Sequence, residues 1–263
     1  MPTRKCFFLT EAAPRVKKRA NLDALSFLQH GPQVFRHNRV ILKKHKEYTV
    51  SNVKTTIVLA TRNAGKVREL HALLEDMDCR VLGLDAFPEV GDIPETGTTF
   101  EENALIKAKT AAMLTGHIAV ADDSGLAVDA LHGAPGVYSA RFSDRPGYPA
   151  TDAANIAKLL DLLRDVPQKR RTARFICAAA AATPDGMTLV RRGQWEGAIA
   201  TRPRGTNGFG YDPVFVAPEY GRHAAELDAA QKNAVSHRRK AFAALREAWP
   251  EFLQTARRQG AIA

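Results

Sequence analysis

The chain has 263 residues, 45% of them apolar, and 38 Lys/Arg against 28 Asp/Glu for a net charge of +10. That length and apolar fraction suit one large or two-lobed domain with a sizeable core, and no apolar run reaches the roughly 18 residues that a membrane-spanning helix needs. Cys6, Cys79 and Cys177 stand far apart with no C-x-x-C pair, which argues against a disulfide framework or a zinc site and for a reducing compartment.

The charge is unevenly placed. Residues 1–54 carry 12 Lys/Arg and 3 Asp/Glu, a net +9, whereas the remaining 209 carry 26 and 25, a net +1. The basic character therefore belongs to the front segment, and no nucleic-acid binding is expected of the core. The front segment shows no sustained period. Its clusters RVKKRA and ILKKHK fit three readings: a poorly ordered basic extension, including one left by a start site assigned too far upstream; an organelle-targeting peptide; or a nucleic-acid-binding arm.

From Thr55 the pattern sharpens. TTIVLA (55–60) reads as a β-branched, apolar strand. TRNAGK follows, and KVRELHALLEDM (66–77) is expected to be helical, because Val67, Leu70, Leu73, Leu74 and Met77 share one face. RVLGL (80–84) is a second short strand. A loop with Gly91, Pro94 and Gly97 leads to a helix in TTFEENALIKAKTAAMLTG (98–116). A capping box of Thr98 with Glu101, or Thr99 with Glu102, would start it, and Gly116 would stop it. A strand is expected over 117–121, a Gly/Pro-rich loop over 133–149, and a helix over 152–166 with Asp152 as its cap. TARFICAAAAAT (172–183) reads as a long strand. A PDG turn at 184–186 joins it to MTLVRR, and QWEGAIA extends the meander. GTNGFGYDPVF (205–215) is a loop entering a strand, and SHRRKAFAALREAW (236–249) a closing helix with Ser236 as cap. The order βαβα, then strands, then a helix, gives an α/β protein with a mixed sheet flanked by helices. The core domain is placed at 55–250, with 251–263 as a tail.

The strand–TRNAGK–helix junction has the geometry of an anion site. A helix N-terminus offers unpaired N–H groups and partial positive charge, Thr61 and Asn63 add short polar side chains, and Lys66 adds a full charge. It is not a P-loop, since Val67 stands where Ser or Thr is required. An ordinary βα turn with a surface lysine would read the same way. In PETGTTFEENA, Glu101 and Glu102 suit helix capping, whereas Glu95 lies off the helix, close to Gly97.

Asp122 and Asp123 end an apolar run. Neighbours on a strand point to opposite faces, so one role for both is not expected. Glu95 and Asp123 are candidate hard-oxygen ligands for Mg²⁺, which takes one or two carboxylates and bridges phosphate oxygens. Two carboxylates also suit glycoside hydrolysis, against which the phosphate-type loop argues. DDSG alone would read as a polar turn.

In GTNGFGYDPVF, glycines beside Phe209 let a flat ring approach the backbone. Phe209 could stack on a nucleobase and Asp212 could accept from a base or sugar donor; a glycine-rich hairpin with core aromatics is the alternative. Lys232, His237, Arg238, Arg239 and Lys240 crowd cations before and into a helix start, where they oppose the dipole. An anionic or carbonyl-bearing ligand accounts for them.

Taken together, TRNAGK, PETGTTFEENALIKA, ADDSGLAVDAL-HGAPGVYSARFS, NGFGYDPVF and SHRRKAF resemble the inosine triphosphate pyrophosphatase (dITP/XTP pyrophosphatase) family over about 55–250. The resemblance implies an elongated α/β protein with an active-site cleft between two lobes, and a homodimer; the reducing compartment that the cysteines favour is taken to be the cytoplasm. It implies hydrolysis of ITP, dITP and XTP to the monophosphate and pyrophosphate with Mg²⁺. Carried over by position, Thr61, Arg62, Asn63, Ala64, Gly65 and Lys66 would line the triphosphate. Glu95 and Asp123 would hold the metal, with Asp123 and Lys66 the catalytic pair. Ser124 would contact substrate. Phe209, Gly210, Tyr211 and Asp212 would form the base pocket, completed by Lys232, His237 and Arg238. Arg62 departs from the family pattern, which usually has Gly there.

Overall fold

The computed structural model describes residues 54–74 and 79–260. The three readings of the basic front segment, and Met77, lie outside them. A seven-stranded sheet in the order β2-β1-β3-β4-β5-β6-β7 organises the described chain. Its strands are β1 (Thr55–Leu59), β2 (Cys79–Gly83), β3 (Ile118–Val128), β4 (Thr172–Ala182), β5 (Thr188–Ile199), β6 (Phe215–Ala217) and β7 (Arg222–His223). β1 runs parallel to β2 and β3, and the other pairs are antiparallel, so the sheet is mixed as expected. The helices are α1 (Ala64–Leu74), α2 (Phe100–Thr115), α3 (Asp152–Leu162), α4 (Ala229–Val235) and α5 (His237–Arg258).

Strand alternation sorts the core onto two faces. Val58, Ala60, Ala119, Ala121, Ala178 and Ala180 pack with Ala104, Ala108 and Ala111 of α2. Ile57, Leu59, Ile118, Val120, Cys177 and Ala179 pack with Leu70 and Leu74 of α1 and with Phe242, Leu245 and Trp249 of α5. A third cluster, built from Leu126, Val128, Phe175, Trp195 and Phe215 with Leu159 and Leu163, fills the other end of the long strands. The run of alanines in β4 lets α2 and α5 approach the sheet closely.

Four local expectations are corrected. β3 does not stop at Ala121 but continues to Val128, because β4 pairs with it throughout, Asp122 opposite Ala179 and Asp123 opposite Ala178. The DDSG backbone is thus satisfied as a ladder rather than as a turn. All of MTLVRR and QWEGAIA except Met187 and Ala200 forms one strand, β5, and Gly193 marks no break. A side chain there would collide with the His237 carbonyl and the Ala241 amide, so glycine seats α5 against the sheet. Thr151, not Asp152, caps α3, accepting from the Ala154 amide at 3.1 Å. Lys232 does not merely precede a helix: a capping box of Asp228 and Gln231 starts α4 around it.

Elsewhere the caps are as expected. Thr99 and Glu102 form the capping box of α2, which ends at Gly116 with φ +67°. Ser236 accepts from the Arg239 amide to start α5. That helix runs on through 251–258, with Phe252 and Ala256 buried, so this part of the expected tail is helical.

Candidate active site

β1 ends at Leu59, opposite Val120, while β3 continues. Beyond the carboxyl end of β1, the far stretch of β3 therefore borders a cavity of about 430 Å³. Its walls come from two of the core clusters, Ala60 and Leu84 from one and Phe175 and Tyr211 from the other. The β1–α1 turn contributes Thr61, Arg62, Asn63 and Lys66; the loop before α2 contributes Glu95; β3 contributes Asp123 and Ser124. Phe209, Gly210, Tyr211 and Asp212 come from the glycine-rich loop, Lys232 from α4, and His237 and Arg238 from α5.

Asn63 caps α1, accepting from the Lys66 amide at 3.1 Å, and its own amide donates to Thr61 Oγ1. Ala64 and Gly65 follow as the first helical residues. A Cβ on Gly65 would stand 3.1 Å from both Asn63 Oδ1 and the Phe209 ring. Glycine there lets Phe209 close onto the start of α1, joining the anion-type turn to the aromatic pocket.

The two aspartates are separated by the sheet. Asp122 faces α1 and α5: its Oδ2 is 3.2 Å from Lys66 Nζ and accepts from Arg238 Nη2 at 3.1 Å and Nε at 3.2 Å. Burial alone would raise its pKa, but Lys66 and Arg238 outweigh it and hold the carboxyl well below the usual range. Asp123 faces α2. Its Oδ1 is 3.0 Å from Lys107 Nζ, and its Oδ2 accepts from Asn103 Nδ2 at 3.3 Å. Lys107 also reaches Glu95 Oε1 at 2.7 Å, with Arg141 3.9 Å from the other Glu95 oxygen. Burial and the neighbouring Glu95 charge raise Asp123 above the ordinary value despite Lys107, whereas Lys107 brings Glu95 below it against the cost of burial.

Glu95 and Asp123 therefore share one cation from two sides, 2.7 and 3.0 Å from the same ammonium. Among the described residues no cluster of three or more His, Cys, Asp or Glu could hold a metal ion. The pair is of the hard-oxygen kind that Mg²⁺ accepts while keeping other positions for water and phosphate.

The aromatic end is built around Phe209, with Lys232 5.0 Å and Arg238 5.7 Å from its ring centre. Lys232 bonds Asp212 Oδ2 at 2.6 Å and Glu69 at 3.3 Å, and Arg238 bonds Glu69 as well as Ser124 Oγ. Asp212 Oδ2 also accepts from the Phe209 amide at 2.9 Å, and burial raises its pKa although Lys232 opposes this. Its carboxylate thus shapes the loop that presents Phe209, where Gly208 and Gly210 take positive φ. Tyr211 is buried and donates to Ser139 O, and Asp152 accepts from the Gly210 amide at 2.7 Å. His237 stacks on Phe175 with centroids 4.8 Å apart, its Nδ1 buried without a partner. Burial, with Arg238 and Lys232 nearby, drives its pKa well below the usual histidine value.

Sequence patterns alone did not single out Lys107, Asn103 or Glu69. Asn103 and Lys107 fall on the buried stripe of α2 with Ala104, Ala108 and Ala111. A lysine and an asparagine one turn apart on an otherwise apolar face were the available signal.

Known proteins share this arrangement of sequence and fold. The dITP/XTP pyrophosphatase of Nitratidesulfovibrio vulgaris is 61% identical over 202 residues, spanning 76% of this chain and 98% of that protein. The dITP/XTP pyrophosphatase of Streptococcus pyogenes is 54% identical over 196 residues; the match spans 74% of this chain and 59% of that relative's length. The solved structure of a HAM1 protein from Coxiella burnetii aligns with a TM-score of 0.68 at 46% identity, covering 75% of this chain and 99% of that one. The Ham1 family profile matches residues 57–248, from within β1 to the middle of α5, and the chain belongs to the Ham1 family.

Proposed function

We propose that this protein hydrolyses non-standard purine nucleoside triphosphates (ITP, dITP and XTP) to the nucleoside monophosphate and pyrophosphate, removing deaminated purines from the nucleotide pool. One observation carries the proposal: a paired carboxylate site, the anion-type start of α1 and a cation-flanked phenylalanine converge on a single cavity. The names of the relatives support the same activity.

Glu95 and Asp123 would hold Mg²⁺, which supplies charge neutralisation for the phosphates when bound. Thr61, Asn63 and the first turn of α1, including Ala64 and Gly65, cradle the triphosphate, while the Arg62 side chain in the same turn is taken up by Val90 O. Lys66 stabilises charge developing on the phosphoryl oxygens. Asp123, held in place by Asn103, takes a proton from the water that attacks the α-phosphorus, and pyrophosphate leaves. Ser124 contacts the substrate beside it. Phe209, with Gly210, Tyr211 and Asp212 shaping its loop, stacks on the purine, and Lys232 lies over the same ring. Selectivity rests on the 6-oxo group, which accepts from His237 or Arg238 where a 6-amino group would present a second donor. Arg238 already serves Asp122, Glu69 and Ser124, so the contact falls to His237.

The decisive experiment is a panel of nucleoside triphosphates with pyrophosphate detection. ITP, dITP and XTP are expected to be hydrolysed well ahead of ATP, CTP and UTP. Faster turnover of a pyrimidine or other modified nucleotide would replace this substrate class with another. Removing residues 1–52 should leave activity intact, whereas loss of function with that segment would favour a nucleic-acid-binding role. A cytoplasmic homodimer is part of the same proposal, and light scattering on the purified protein reads the assembly.

A further inference from the structure

Glu95 is carried by the loop between β2 and α2, across the cavity from the β1–α1 turn. Regular bonds flank the stretch that leads to it: Val90 N donates to Phe87 O at 3.0 Å before it, and Gly97 N to Asn103 Oδ1 at 2.8 Å after it. The contact from the opposite wall is made by Arg62. Its Nη2 donates to Val90 O, and its Nε lies 4.0 Å from Asp92 Oδ1. Arg62, Gly91, Asp92 and Glu95 all line the cavity. The Asp92 side chain is fully exposed, so that ion pair is screened and weak. The charge-assisted bond to a backbone carbonyl is the stronger link.

Lys107 fixes the Glu95 carboxylate itself, Val90 and Ile93 anchor the loop in the apolar core, and Arg62 adds the bond from the opposite wall to the backbone that leads to Glu95. We propose that Arg62 is a positioning residue, a strap that ties the Glu95 loop to the phosphate-binding turn and thereby sets how much of the time Glu95 stands opposite Asp123. The inference rests on the triphosphate assignment of the cavity. It differs from a direct phosphate contact, which would need Arg62 to leave Val90.

The test uses the full chain as parent, Arg62→Ala and Arg62→Lys. Backbone ¹⁵N order parameters are read at Gly91, Asp92 and Ile93 without nucleotide, and kcat and KM are read with ITP. In Arg62→Ala the order parameters should fall from the rigid value of about 0.85 to below about 0.6. KM should rise on the order of fivefold as the competent loop population drops, with kcat within about twofold of the parent. Arg62→Lys, which can still donate to Val90 O, should recover most of the order. Parent-like order parameters in Arg62→Ala overturn the strap whatever KM does. A loosened loop with unchanged KM overturns its positioning role. The order parameters need no turnover, so they report on the strap even where ITP proves not to be the substrate.

Discussion

Asp122 and Asp123 are consecutive residues of β3 that answer to different cations on opposite faces of the sheet, Asp122 to Lys66 and Arg238 and Asp123 to Lys107. The first pairing is deeply buried and holds α1 and α5 to the strand; the second lies where the cavity opens. Asp122→Asn leaves two cations around a neutral amide and should cost about 3–5 kcal/mol of stability, read as a fall in the urea midpoint. Ionised Asp123 is disfavoured by burial and by Glu95, so Asp123→Asn should leave stability within about 1 kcal/mol of the parent. Turnover of ITP should nevertheless fall by about 10²-fold or more. Similar stability losses in the two variants, or parent-like turnover in Asp123→Asn, would contradict this division of roles.

Lys107 neutralises Glu95 and Asp123 without any metal, so chelation by EDTA should stop turnover while lowering the urea midpoint only by the small stabilisation that binding of the ion itself contributes. Lys107→Met removes that cation and leaves two carboxylates facing each other. The cost should be about 3 kcal/mol, the low end for a broken buried pair, because Glu95 remains 32% exposed. Mg²⁺ should then raise the midpoint of Lys107→Met more than that of the parent, since in the parent the ion has to displace an ammonium. An equal response in both would show that the ion binds elsewhere.

The parts of the site legible in the sequence were those announced by backbone chemistry. The capped turn at 61–66, the glycine-rich loop around Phe209 and the Ser236 cap each depend on residues close together in the chain. What could not be read locally was made by pairing between distant segments. DDSG looks like a turn until ten alternating partners on β4 complete its ladder, Ala119 opposite Ala182 through Val128 opposite Ala173. Lys107 stands on the apolar stripe of α2 with its partners out of reach in sequence, until Glu95 and Asp123 close on it from a loop and a strand. Glu69 joins Lys232 and Arg238 across more than half the chain, a relation with no spacing rule behind it.

Gly193, between the MTLVRR and QWEGAIA segments, is likewise set by a distant element. A methyl group there would strike the backbone of His237 and Ala241 at the start of α5. Gly193→Ala should cost about 1–3 kcal/mol through overpacking. Because His237 and Arg238 head that helix, KM for ITP should rise as well. Gly83→Ala serves as the control, since the nearest atom to its Cβ is 3.9 Å away. Matching effects from the two substitutions would mean that Gly193 does not seat α5.

The His237 pKa is pushed well below the ordinary histidine value: burial comes first, and Arg238, Lys232 and Lys66 add repulsion that Asp122 only partly offsets. In the unfolded chain a histidine takes up a proton near pH 6.5. The folded pKa is therefore depressed below the unfolded one, and below about pH 6.5 the unfolded state binds one more proton than the folded state. The sign follows: the contribution is fully present above the unfolded pKa and is lost as pH falls, at a limiting slope of about 1.4 kcal/mol per pH unit. His237→Gln removes this dependence and leaves every other histidine in place. Stability of parent relative to variant should thus drop by on the order of 1 kcal/mol between pH 6.5 and 5.5, read from urea midpoints at each pH. A difference that stays flat across that interval would mean that His237 accepts a proton in the fold, and that the cations around it do not exclude one.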